Sequence, residues 1–63
     1  MDTNEFRYVM HKRRSFFWFE RYRSYRNIAR LTGSDYDYSL MKRAYRMYKM
    51  NREYADKYRR LLG

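Results

Sequence analysis

Apolar and polar positions along this chain recur at intervals of three and four residues, the period of an amphipathic helix, and the clearest run lies in the second half. There Leu40, Ala44, Met47, Asn51, Tyr54, Tyr58 and Leu61 advance by alternating steps of four and three, and Met41, Tyr48, Ala55 and Leu62 widen the apolar stripe beside them. The opposite rows are polar and mostly basic: Lys42, Lys49 and Asp56, with Arg46, Glu53 and Arg60 alongside. The pattern predicts one long helix packed on a single face. Asn51 falls in that stripe, where a polar residue either fixes register or simply sits at the stripe's edge.

The first half is less regular. Centred on Tyr25, a turn of roughly 100° per residue brings Met10, Phe17, Trp18, Tyr22, Ile28 and Ala29 to one side. Arg14 and Arg21 fall on the same side, while Phe16 and Phe19 point away. Either the helix breaks near Ser15, which would cap a new start, or a continuous or kinked helix meets partners on two faces. The second option is preferred. A helix that is aromatic nearly all round from Phe16 to Phe19 needs cover on more than one side.

Local chemistry places the ends. Asp2, Thr3 and Asn4 are candidate N-caps, and Glu5 lies in the first turn, where acids favour the helix dipole. Gly33 is the one glycine before the terminus, and no proline interrupts the chain. It can adopt the left-handed conformation that ends a helix. Ser34 followed by Asp37 has the spacing of a capping box for a second helix, with Asp35 in its first turn. The expected fold is all-α: a two-helix antiparallel hairpin hinged at Gly33-Ser34, with helices over about residues 3–32 and 35–62 and a turn over 32–34, in one small domain.

Composition then limits what such a hairpin can be. Sixty-three residues have too much surface for their volume to bury a large core, and no cysteine is present to staple the fold. Completion by a protein partner or by self-association is expected. The 16 Lys and Arg outnumber the 7 Asp and Glu, giving a net charge of +9, and arginine exceeds lysine 12 to 4. This balance faces polyanions, and the planar guanidinium fork suits phosphate. No run approaches the roughly twenty apolar residues that would span a bilayer, and the amino terminus has no basic-then-apolar leader pattern. Intracellular, organellar-matrix and virion settings all stay open.

Catalytic patterns are missing. His11 is the only histidine, flanked by Met10 and Lys12, and is expected at the surface. No nucleophile elbow, phosphate-binding glycine loop, dinucleotide fingerprint or Cys/His metal spacing occurs, and the acids are dispersed. No enzyme activity, cofactor or metal is expected.

The positive signal is Arg21-Tyr22-Arg23-Ser24-Tyr25-Arg26 and its partial echo Tyr45-Arg46-Met47-Tyr48-Lys49. Each sets two tyrosines three apart with a basic residue one position later. In a hairpin turning at Gly33 and Ser34, positions whose numbers sum to about 67 lie level, so Tyr22 meets Tyr45, Tyr25 comes near Lys42 and Trp18 near Lys49. The two motifs converge on one aromatic seam edged by cations.

Arg13, Arg23, Arg26, Arg30, Lys42, Arg43, Arg46 and Lys49 are the candidate phosphate contacts. Phe16, Trp18, Phe19 and Tyr45 are the candidates for stacking or protein docking, whereas Tyr22, Tyr25, Tyr48 and Tyr58 are expected to serve the core. The expected function is non-enzymatic binding of nucleic acid, RNA more than DNA, as a structural part of a nucleoprotein assembly. The alternatives are a helical accessory subunit joining proteins in a large complex and a small phage-type protein inhibitor. Membrane-surface binding through Lys12-Arg13-Arg14 and the Phe16 to Phe19 run is weaker, because basic residues occupy every face.

Overall fold

A computed structural model describes residues 2–62 as two helices, α1 (Thr3–Thr32) and α2 (Asp35–Leu62), packed against each other, with no strand among the described residues. The hairpin is a rod of 45 × 14 × 13 Å with a radius of gyration of 14.2 Å. A globular chain of this length would have a radius near ~11 Å. The fold therefore has a seam and no central core.

Asp2 is the N-cap of α1, its carboxylate accepting from the Asn4 N–H at 3.1 Å. Gly33 ends the helix at φ 65°, ψ 13°, donating its N–H to the Ala29 carbonyl at 2.8 Å. The start of α2 uses a relay in place of a direct capping box. Ser34 N–H donates to Thr32 Oγ1 at 3.2 Å, and that hydroxyl donates to Asp37 at 2.7 Å. Thr32 thus ties the end of one helix to the start of the next. A Cβ at Gly33 would meet nothing within 4 Å, so Gly33→Ala should cost only the left-handed backbone strain, about 1–2 kcal/mol. Thermal unfolding checks this, with Gly33→Asn expected to lose less.

The break considered near Ser15 is absent: α1 runs unbroken through it. Ser15 is buried and donates its hydroxyl back to the Lys12 carbonyl at 2.7 Å, which satisfies the polar group without interrupting the helix. In α1 a covered line runs through His11, Ser15, Trp18, Tyr22, Tyr25 and Ala29, again alternating steps of four and three, and Met10 is half-buried beside it as expected. Phe17 and Ile28, expected in the stripe, stay 51% and 43% exposed. In α2, Leu40, Ala44, Met47 and Asn51 are covered as expected, but Ala55 takes the buried place assigned to Tyr54, and Leu61 is exposed.

One physical cause explains these shifts. Among the described residues the buried ones are Ser15, Ala29, Ala44, Asn51 and Ala55, and no large side chain is fully buried. Where only two helices meet, small residues occupy the line of closest approach. Large ones flank it.

His11 belongs to this seam as well. Its Nδ1 lies 3.0 Å from Asn51 Oδ1, while Asn51 Nδ2 donates to the Met47 carbonyl at 2.8 Å. That second bond turns the amide oxygen toward His11, so Nδ1–H is the donor. The imidazole stacks on Tyr54 and Tyr58 at centroid distances of 5.1 and 5.7 Å. The polar pair links α1 to α2 at one level, with Asn51 buried in the seam and not at the edge of its stripe.

Candidate nucleic-acid interface

The level set by the hinge decides which side chains meet. Tyr22 and Tyr45 lie 5.4 Å apart between ring centroids, and Phe19 and Tyr48 lie 5.2 Å apart. Both pairs have numbers that sum to 67, the level expected from a turn at Gly33-Ser34. Phe19 also neighbours Tyr22 at 6.4 Å, and Tyr45 neighbours Tyr48 at 6.2 Å. Four rings, two from each helix, close into one cluster along a single side of the hairpin. Within it Tyr22 and Tyr48 are half-buried, and Phe19 and Tyr45 keep 37% and 46% of their surface open.

Cations border this cluster from both helices. The Arg26 guanidinium lies 5.6 Å from the centre of the Tyr22 ring, and its Nε is buried with no hydrogen-bond partner. Arg52 donates to the Tyr48 hydroxyl at 3.0 Å, which leaves that hydroxyl's own proton free. Lys42 and Arg46 line a depression of about 580 Å³ together with Tyr22, Met41 and Tyr45. Lys49 lines a neighbouring hollow with Tyr45, Tyr48, Arg52 and the acids Glu53 and Asp56. Among the described residues the one ion pair within 4.0 Å joins Arg23 to Glu20 at 3.9 Å, on the exposed surface. No cation bordering the cluster other than Arg23 is paired within 4.0 Å among the described residues, although Glu53 and Asp56 lie in the hollow that Lys49 and Arg52 line.

The candidate phosphate contacts divide between faces. Arg23, Arg26 and Arg30 follow one another at steps of three and four along one flank of α1, and Lys42, Arg46 and Lys49 do the same along α2. All but the half-buried Arg26 are exposed. Arg13 lies elsewhere, in a depression with Phe6, Val9, Met10 and Arg14. Arg43 is exposed and turned by about 100° from Lys42, away from the ring cluster.

Of the stacking candidates, Phe19 and Tyr45 enter the cluster and Phe16 lines the adjoining groove. Trp18 is on the seam, half-covered and edge-on to Phe17 at 5.3 Å. Lys12, Arg52 and Arg59 also border that groove and are not among the eight candidate phosphate contacts; in the sequence Lys12 stands out only as part of the basic run Lys12-Arg13-Arg14. The step Tyr45, Tyr48, Arg52 carried the signal for Arg52, since residues three and four apart on a helix are neighbours. Arg59 had no comparable local signal.

The arrangement can hold an anionic backbone along two cationic edges while offering aromatic faces between them. No helix among the described residues is long and apolar enough to cross a membrane. No protein-family model, curated protein or solved structure matches this chain significantly.

Proposed function

We propose that this protein is a non-enzymatic nucleic-acid-binding hairpin that prefers RNA to DNA and serves as a structural part of a nucleoprotein assembly. The observation that carries this reading is the cluster of Phe19, Tyr22, Tyr45 and Tyr48 with unpaired cations on both sides. Guanidinium and ammonium groups take phosphates, and open aromatic faces stack on unpaired bases whatever their identity. Single strands and the loops of folded RNA offer both. The two exposed rings are the stacking surface, while Tyr22 and Tyr48 hold them in place.

Binding measured across salt tests the reading. Six contacts from Arg23, Arg26, Lys42, Arg46, Lys49 and Arg52 to a single strand should give a slope of log K against log salt near about −4, or roughly 300-fold between about 50 and 200 mM. Absence of binding at low salt, or affinity indifferent to salt, would overturn it.

A second reading rests on a different surface. Phe6, Phe17 and Ile28 are spaced eleven apart, about three helical turns, so they line up along α1 and are 56%, 51% and 43% exposed. This line suits docking on a protein, as in an accessory subunit of a larger complex.

A further inference from the structure

We infer that the groove beside the ring cluster is a subsite for one unpaired nucleobase carrying an exocyclic amine, a refinement that rests on the nucleic-acid reading above. The groove has a volume of about 340 Å³, within the range of small-ligand clefts. Its floor is Ser15 and Ala55, both buried small residues at the helix seam. Small side chains there create the recess, because the flanking residues are large. Phe16 and Phe19 stand at its walls and supply faces for stacking, and Tyr48 brings its hydroxyl to the lining.

The charged groups of the groove are three cations and one acid. Lys12, Arg52 and Arg59 border the groove and favour the phosphates on either side of an inserted base. Asp56 lines it too, and no cation lies within 4.0 Å of its carboxylate among the described residues. An acid is a poor neighbour for a phosphate. It is a good acceptor for the amine of cytosine, adenine or guanine, and uracil has no such donor. The Tyr48 hydroxyl already accepts from Arg52 at 3.0 Å, so its remaining proton can donate to a ring nitrogen or carbonyl of the same base. One acceptor and one donor between aromatic walls can read a base edge.

The experiment compares eight-nucleotide strands by fluorescence anisotropy at one fixed low salt concentration: oligo-C, oligo-U and a strand of abasic spacers with the same phosphates. The full chain is used throughout. Oligo-C should bind about tenfold tighter than oligo-U, and oligo-U should exceed the abasic strand by about tenfold.

Asp56→Ala should bring oligo-C and oligo-U within about twofold of each other: removal of the negative charge strengthens oligo-U, and oligo-C gains less because it also loses its acceptor. A role for Asp56 in repulsion alone would instead raise all three affinities equally and keep the C-to-U ratio. Phe19→Leu should shrink the gap between base-bearing and abasic strands while helicity by circular dichroism is kept.

If all three strands bind wild-type protein equally well, the subsite is wrong and the phosphate reading stands. If oligo-C and oligo-U bind alike yet above the abasic strand, the amine recognition is wrong. If no strand binds at low salt, the nucleic-acid reading itself fails.

Discussion

Replacing Arg23, Arg26 and Arg46 together with glutamate should lower RNA affinity by at least about 100-fold near physiological salt, while the helices form as before. Each replacement removes two units of charge, so the net charge falls from +9 to +3. The loss has to be separated from that bulk change. A second variant with Arg13, Arg14 and Arg43 changed to glutamate reaches the same +3, yet these three lie away from the ring cluster. It should lose only about tenfold, through the weaker long-range attraction that a lower net charge brings.

The structural cost of the first variant is small. The Arg23 pair with Glu20 is exposed, and such pairs add little to stability. Arg26 is half-buried against Tyr22, so that position carries most of any lost packing. Circular dichroism and a melting curve on both variants check the fold, and binding isotherms at several salt concentrations check the affinity. Equal losses in the two variants would mean that charge alone drives binding and that the cluster has no part in it. A variant that keeps its place in a native protein complex after the first triple change would favour the accessory-subunit reading.

Much of the architecture is legible in the residues themselves. Gly33 and the polar residues around it fix the turn, and the turn fixes which residues lie level, so the Tyr22 to Tyr45 and Phe19 to Tyr48 pairs follow by counting. The regular stripe of α2 was readable because its polar rows are clean. The face of α1 was harder to place for a physical reason: its largest side chains are not its most buried ones. Taking Tyr25 as the centre follows the rule that aromatics are core, which holds for helices covered on several sides. Here the centre passes through Ser15 and Ala29, residues with weak apolar signal, and the aromatics flank them.

His11 shows the same effect from the polar side. Its partner Asn51 is 40 positions away in sequence, so no local pattern marks the pair. The groove was hidden for a related reason. Its floor and the cations Lys12, Arg52 and Arg59 come together only once the register of the two helices is set. The division of the eight candidate phosphate contacts between faces likewise needs the correct centre of α1.

Ala44→Leu should abolish the cooperative thermal transition of the isolated hairpin. Ala44 has no exposed surface and lies on the line where the two helices touch, as does Ala29. Three added carbons there have no recess to enter, and the helices must separate or shift along each other. Overpacking of a tight contact costs about 1–3 kcal/mol and sometimes more. A domain this small rarely has more than about 3–5 kcal/mol to lose. The same bulk on the outside is harmless: Ser24→Leu adds it at an exposed position and raises helix propensity, so its melting curve should match or exceed that of wild type. If Ala44→Leu melted like the wild type, the seam would not be closely packed, and the level of the two arms would not be set by small residues.

The functional consequence distinguishes charge from geometry. The variant keeps its net charge of +9, so salt-dependent attraction to any strand persists. What it loses is the meeting of Phe19 and Tyr22 with Tyr45 and Tyr48, and with it the advantage of a base-bearing strand over an abasic one. Tight binding of both strands by Ala44→Leu with the advantage intact would show that stacking does not need the hairpin. The expected result is that the advantage falls with the thermal transition, because both depend on the same close approach of α1 and α2.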